Sequence, residues 1–444
     1  MQEDKKVNLP KNFLWGASVS AHQTEGGNHN QWTVWELGHA AELAKKAERH
    51  YHYLPREVWK RIKHQASDPN NYISGRGVDH YNRYEEDFDI LKSLNLNSFR
   101  FGIEWSRIEP DEGVWNQAEI DHYKKYIEEM KKRGIKPVLN LWHWTVPVWF
   151  ETKGGFEKRR NLKYFLRFVD KISHDLISPC HTLITINEPN SYAAASFTEG
   201  RWPPGKHNPI LTSRVMYNLM LAHKRTYKLI KTRHPHVQIG LASQIRNIQP
   251  RRPANIIDRA VSRWAAYVWN WWFYDRTKKY QDFIGFNYYF TDYLKGFIES
   301  NPKRIMAKHI KGGDISFSKL ANPDSPVNDM GWYMEPEGLY HVAMAAHRRY
   351  KKPIIITENG VADALDQYRK WWIGECLDAM EKANSSGAQV VGYFHWSLLD
   401  NFEWADGWWP KFGLVEVDRQ NGMKRKVRES AKWLAKIIET RTYD

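Results

Sequence analysis

The feature that most restricts this chain is an eightfold alternation of short apolar runs with longer stretches of helical periodicity. The runs are Phe13–Ser18, Ser98–Ile103, Pro137–Leu141, Thr182–Ile186, Gln238–Ala242, Phe283–Asn287, Pro353–Thr357 and Val390–Trp396. Continuous apolar runs of this length suit strands buried on both faces of a parallel sheet. Between them lie amphipathic stretches such as Tyr81–Leu94, Ile120–Arg133, Leu162–Leu176 and Arg214–Arg233. Tyr84, Phe88, Leu91 and Leu94 fall on one helical face, and Gly134 follows a basic helix end as a C-cap would. Eight strands alternating with helices over 444 residues predict an α/β chain folded as one (β/α)₈ barrel spanning 1–444. A doubly wound dinucleotide fold is excluded, because Gly75-Arg76-Gly77 lacks both a preceding strand and a third glycine.

Composition narrows the class. Hydrophobic residues at 42% and aromatic residues at 14% supply a core, which excludes disorder. No run reaches the ~18 apolar residues that a membrane helix needs. The charged segment Met1–Lys6 leads into Asn8-Leu9-Pro10 without an apolar stretch, so no secretory leader is expected. Cys180 and Cys376 are the only cysteines; they read as buried thiols, and the cytoplasm is the expected compartment. A net charge of +15 raises the question of an anionic partner. The densest basic run, Lys424-Arg425-Lys426-Val427-Arg428, has no nucleic-acid recognition motif beside it. The expectation is a solvated basic exterior, with neither nucleic acid nor membrane as partner and self-association left open. No ligand spacing of His, Cys and carboxylates suggests a metal, and no cofactor is expected.

In such a barrel, functional side chains gather at the carboxyl ends of the strands. Here those ends carry or adjoin Gln23, Arg100, His143-Trp144, Asn187-Glu188, Asn287-Tyr288-Tyr289, Glu358-Asn359 and Trp396. Ile184-Thr185-Ile186-Asn187-Glu188-Pro189 reads as strand four with a polar tip, and Ile354-Ile355-Ile356-Thr357-Glu358-Asn359-Gly360 reads as strand seven. Either glutamate alone could be a rim ion pair. Together they form the pair that glycoside hydrolysis needs: an acid for the leaving oxygen and, in retaining enzymes, a nucleophile ~5–5.5 Å away.

Through these two segments the chain resembles glycoside hydrolase family 1, the β-glucosidase family. Thr185–Pro189 is similar to its acid/base motif and Ile356–Gly360 to its nucleophile motif. Phe13–Ser18 with Gln23–Gly26, Arg100–Ile108, His143-Trp144, Asp282–Tyr289 and Trp396–Trp404 extend the likeness over nearly the whole chain. The resemblance implies a retaining β-glycosidase acting by double displacement on β-D-glucosides, with β-D-galactosides and fucosides as further substrates. Glu188 would be the acid/base, its pKa raised by the charge of Glu358. Glu358 would be the nucleophile, hydrogen-bonded by Tyr289 and held charged by Arg100. Asn187 would donate to the sugar 2-hydroxyl, with Asn287 in support. Gln23, His143 and Glu403 match hydroxyl ligands, and Trp144, Trp396 and Trp404 match the sugar-site aromatics. Trp332, in Asn328-Asp329-Met330-Gly331-Trp332, resembles the aglycone platform. The strand-end pairs His143-Trp144 and His395-Trp396 look chemically alike.

A phosphorylated sugar is disfavoured: Glu403 stands where the 6-phospho-β-glycosidase branch has Ser, and Pro410 and Phe412 replace its Lys and Tyr. A non-catalytic sugar-binding barrel is disfavoured by the intact Asn187, Glu188, Tyr289 and Glu358. Two stretches depart from the family pattern. A basic helical insertion runs from about Ala40 to Gln65. Only Arg276–Gln281 separate Asn270–Asp275 from strand six, which predicts abbreviated outer helices and barrel surface thinly covered or open to a partner.

Overall fold

Each apolar run becomes a strand: β1 Leu14–Ser18, β2 Ser98–Gly102, β3 Lys136–Asn140, β4 Thr182–Asn187, β5 Gln238–Gln244, β6 Ile284–Tyr288, β7 Ile354–Asn359 and β8 Val390–Trp396. Their ends differ from the sequence expectation by at most two residues. In the computed structural model, which describes residues 5–298, 305–309 and 326–443, the eight strands pair in chain order. All are parallel, and β8 returns to β1 through Gly392–Leu14 to Trp396–Ser18, closing the barrel.

Val138, Ile184, Ala242, Phe283, Ile355 and Phe394 form one cluster with the half-buried Leu14, drawn from barrel strands or their edges. Gly16 admits the Phe394 ring, since a Cβ there would lie 2.4 Å from it. The longer helices are α1 Gln31–His50, α2 Arg56–Ala66, α3 His80–Ser93, α4 Gln117–Lys132, α5 Leu162–Ile172, α6 Pro209–Arg233, α7 Ile256–Ala266, α8 Glu337–Tyr350, α9 Arg369–Ser385 and α10 Glu429–Thr440. Their inner faces repeat at helical spacing; α5 buries Leu162, Phe165, Phe168, Val169 and Ile172. Gly134 follows α4 with φ +74°, the left-handed conformation that suits glycine after a helix end.

Three expectations change. The helix read as Leu162–Leu176 is α-helical only to Ile172 and continues as a π turn, Ser173–Ile177. The insertion is two helices that begin earlier, at Gln31, and break at Tyr51–Pro55, where Pro55 has no N–H to continue α1. The basic run near the C-terminus is strand Lys424–Val427, paired with Val415–Asp418. Arg425 and Arg428 turn inward to Asp87 and Asp400, each at 2.9 Å, while Lys424 and Lys426 stay exposed, Lys426 within 3.7 Å of Glu416 on the paired strand.

Between β5 and β6 run a short strand, Asn247–Pro250, then α7, a π turn Tyr267–Trp271 and a helix Trp272–Thr277. The inner face of α7 fits over Gly296, where a Cβ would meet Ile257 at 2.6 Å and Val261 at 3.0 Å. Its outer face has apolar side chains in solvent, but β5 and β6 are buried from Ile239 to Ser243 and from Ile284 to Tyr288, so the barrel surface there is not thinly covered as expected. Among the described residues, no helix is long and apolar enough to cross a membrane.

Candidate active site

Strands β4 and β7 lose their ladder register at the carboxyl end, at Ile184/Asn187 and at Ile356/Glu358. Such irregularities re-aim side chains, and these fall at the two glutamate-bearing tips. Beyond the shift, Glu188 adopts φ +40° and its N–H donates to the Ala242 carbonyl at 2.6 Å; Pro189 then starts the short helix Pro189–Ala193. A non-glycine residue in this region costs about 1–3 kcal/mol. Trp144 and Trp404 share it, with φ +74° and +49°, and their rings meet at 4.8 Å.

A buried network joins the two carboxyl groups. Arg100 is fully buried; Nη1 ion-pairs with Glu358 Oε1, and Nη2 donates to Asn187 Oδ1 at 2.7 Å. The Tyr289 hydroxyl donates to Glu358 Oε2 at 2.7 Å. Asn287 Nδ2 donates to Glu188 Oε1 at 2.7 Å and to Asn187 Oδ1 at 3.1 Å, while Thr357 Oγ1 donates to Asn287 Oδ1 at 2.6 Å. Burial pushes the Glu188 carboxyl up to about 7, with Glu358 as the second cause and the Asn287 hydrogen bond opposing them. The sequence expectation credited the charge of Glu358; removal from water is the larger influence.

The sugar-ligand candidates lie around this network. His143 Nε2 is 3.0 Å from Asn187 Nδ2, and burial, then Arg100, holds its pKa far below the imidazole range, so the ring is neutral. The Trp396 and Trp404 rings lie nearly parallel to it, with centroids 5.8 Å and 6.0 Å away. The Trp144 indole donates to the Asn187 carbonyl at 2.9 Å. Gln23 accepts from Ser20 at 2.7 Å and donates to the Phe402 carbonyl at 2.7 Å, with Glu403 Oε2 at 3.5 Å. Burial and then Asp406 push the Glu403 carboxyl well above its ordinary range. Trp332 contacts Tyr289 at 5.9 Å and Phe412 at 6.1 Å.

His395 does not join them. Strand alternation turns it away from Trp396, its Nδ1 lies 3.0 Å from the Tyr393 hydroxyl, and it is a core histidine unlike His143. Sequence reasoning also missed several neighbours. Phe412 was weighed only as a phosphate-site position, yet it walls the site beside Tyr289 and Trp332. Trp202 packs against Trp144, with tilted rings whose centroids lie 4.4 Å apart, from a loop with no motif to mark it. The helical insertion reaches the same rim: the Tyr51 hydroxyl donates to Asp406 Oδ1 at 3.1 Å, and Arg61 pairs with Asp329 at 2.5 Å. Among the described residues no group of three His, Cys, Asp or Glu side chains is arranged to hold a metal ion.

Comparison with known proteins agrees with this geometry. The family model for glycosyl hydrolase family 1 matches residues 5–279 and 274–443. The two matches meet at the shortened segment before β6. Beta-glucosidase A of Acetivibrio thermocellus is 29% identical, over 98% of this chain and 99% of its own. The solved β-glycosidase of Pyrococcus horikoshii is 30% identical with a TM-score of 0.83, covering 99% of this chain and 96% of its own. A β-glucosidase from Thermotoga maritima, solved in complex with glucoimidazole, is 25% identical with a TM-score of 0.82, over 99% of this chain and all of its own. With the barrel, the paired glutamates and a match over nearly its full length, the chain belongs to glycosyl hydrolase family 1 and is a β-glucosidase-type, retaining hydrolase of O-glycosides.

Proposed function

We propose that Glu188 and Glu358 carry out a double displacement on unphosphorylated β-D-glucosides, with β-D-galactosides and β-D-fucosides as further substrates. The observation that supports this best is the network from Glu358 through Arg100, Asn187 and Asn287 to Glu188, which gives the two carboxyl groups different surroundings. Glu188, with its pKa near 7, has a proton to give at neutral pH. It protonates the glycosidic oxygen as a Glu358 oxygen attacks the anomeric carbon; the carbon–oxygen bond breaks and the aglycone leaves as an alcohol. Glu188, now a carboxylate, takes a proton from water, whose oxygen displaces Glu358 and restores the original configuration.

Arg100 and Tyr289 each engage one oxygen of Glu358 and fix its aim. Asn187 spends one amide hydrogen towards His143, and the other is available to the sugar 2-hydroxyl. His143, Gln23 and Glu403 take the remaining hydroxyls, Trp396 and Trp404 wall the ring, and Trp332 with Phe412 receives the aglycone. Asp406, whose carboxyl is held below its ordinary range, puts a negative charge behind Glu403 that would repel a 6-phosphate. The whole chain is read as one working unit around this barrel. The cytoplasm is the proposed compartment, supported by two buried, unpaired thiols.

The test is a panel of nitrophenyl β-D-glycosides followed by a 2-fluoro-glucoside. Turnover of the glucoside and covalent mass on Glu358 are expected. Turnover of only phosphorylated sugars, or a label on another residue, refutes the assignment.

A further inference from the structure

The face of α7 that looks away from the barrel is apolar. Ile256 is 71% exposed and Trp264 63%, and Tyr267 and Val268 in the π turn that follows are also exposed. With exposed Ala260, four of these fall at positions 256, 260, 264 and 268, one stripe at helical spacing. The back of the same helix is already used, with Val261 and Ile257 clamped over Gly296 and Asp258 buried beneath Arg252. The outward side chains therefore do nothing for the internal packing of the helix.

The charge around the stripe has one sign. Arg259 and Arg263 flank it in solvent, and Arg276, Lys278 and Lys279 lie just beyond. Across residues 251–280 there are seven Lys and Arg against two Asp, and both acids are held in ion pairs, Asp258 with Arg252 and Asp275 with Arg349 at 2.6 Å. Tryptophans lie beneath several cations: Arg276 stacks on Trp272 at 4.4 Å, and Arg246 on Trp269 at 4.0 Å. Helices with exposed Trp and aliphatic groups flanked by Arg and Lys lie flat in the headgroup layer of anionic bilayers.

We infer that α7 and the turn after it form a peripheral docking face for anionic phospholipid, in which Ile256, Trp264 and Val268 enter the acyl boundary while Arg259 and Arg263 engage headgroup phosphates. This adds a contact that the sequence expectation of no membrane partner did not include. A second copy of the chain fits less well, since a two-fold contact here sets Arg259 and Arg263 against their own counterparts. A nucleic-acid backbone would satisfy the cations and leave Ile256 and Val268 without a use. The proposal is independent of how the catalytic pair is assigned.

The test is co-sedimentation of the full chain with phosphatidylcholine vesicles with and without phosphatidylglycerol, across a salt series. Binding is expected only with phosphatidylglycerol, falling as salt rises. Trp264→Ser with Val268→Ser, and separately Arg259→Glu with Arg263→Glu, should each reduce partitioning about ten-fold, with kcat/KM on a soluble aryl glucoside unchanged. Three outcomes overturn the inference: equal binding to both vesicle types, binding that survives both double variants, or a concentration-dependent dimer that Trp264→Ser abolishes. Retention on duplex DNA that is lost only with the arginine variant points to the nucleic-acid alternative and refutes it as well.

Discussion

Asn287→Ala offers a test in which the catalytic rate and the pH profile move in opposite directions. In the protein Asn287 Nδ2 donates to Glu188 Oε1 at 2.7 Å and stabilises the charged carboxylate, so it pulls the Glu188 pKa down against the burial that lifts it to about 7. A hydrogen bond to a charged group contributes about 1.5–3 kcal/mol, and 1.36 kcal/mol corresponds to one pKa unit. Because this amide is shared with Asn187 Oδ1 at 3.1 Å, the lower end applies. Removing the donor should move the alkaline limb of kcat/KM upwards by about one pH unit, since Glu188 keeps its proton longer. The rate at the optimum should fall at the same time, because Asn187 loses a partner too. The substrate should be an aryl β-D-glucoside with a weakly acidic phenol, whose departure depends on protonation. An unmoved or acid-shifted limb would refute the assignment of Glu188 as the acid, or of Asn287 as its donor.

Other perturbations follow from the same contacts. Tyr289→Phe removes the 2.7 Å bond to Glu358, and covalent labelling by a 2-fluoro-glucoside should slow about 10–100-fold with a smaller change in KM. Glu188→Gln should alter how stability depends on pH. Burial raises this carboxyl from 4.5 to about 7 in the folded state, so its contribution is most favourable below about pH 4.5 and is lost as pH rises through 7. Thermal unfolding at pH 5 and pH 8 should show a gain for the variant of up to roughly 3 kcal/mol at the higher pH only. Tyr51→Phe keeps the ring packed on Trp409 at 5.3 Å but removes the bond to Asp406, so limited proteolysis within Tyr51–Pro55 should speed several-fold.

The barrel was legible because its strands are continuous apolar runs whose ends carry amides and carboxylates, and burial on both faces leaves a parallel strand little other composition. Glu188, Glu358, Asn187 and Asn287 were found by their place immediately after such runs. What was not legible depends on where loops cross. Phe412, Trp202 and Asp406 lie on segments without periodicity, and they meet the site only because the β4 and β8 loops fold over one mouth. His395 misled because two His-Trp pairs look alike as letters, while alternation along β8 turns one histidine into the core. The weight of burial over charge at Glu188 is likewise a property of the assembled site.

The helical insertion has an implication for how such a protein can be varied. Tyr51 and Arg61 reach the loops after β8 and β6, and Asn71, just past α2, donates to the Asp406 carbonyl at 3.1 Å while its side-chain oxygen accepts from Trp408 N–H at 3.0 Å. Asp406 lies in the same tight turn as Glu403, whose N–H bonds to the Gly407 carbonyl at 2.7 Å. Residues 31–71 and 403–409 are therefore structurally coupled although they stand at opposite ends of the chain. A chimaera that exchanges only the first segment with a relative should lose activity on an aryl β-D-glucoside along with its stability, and exchanging the second segment with it should restore both.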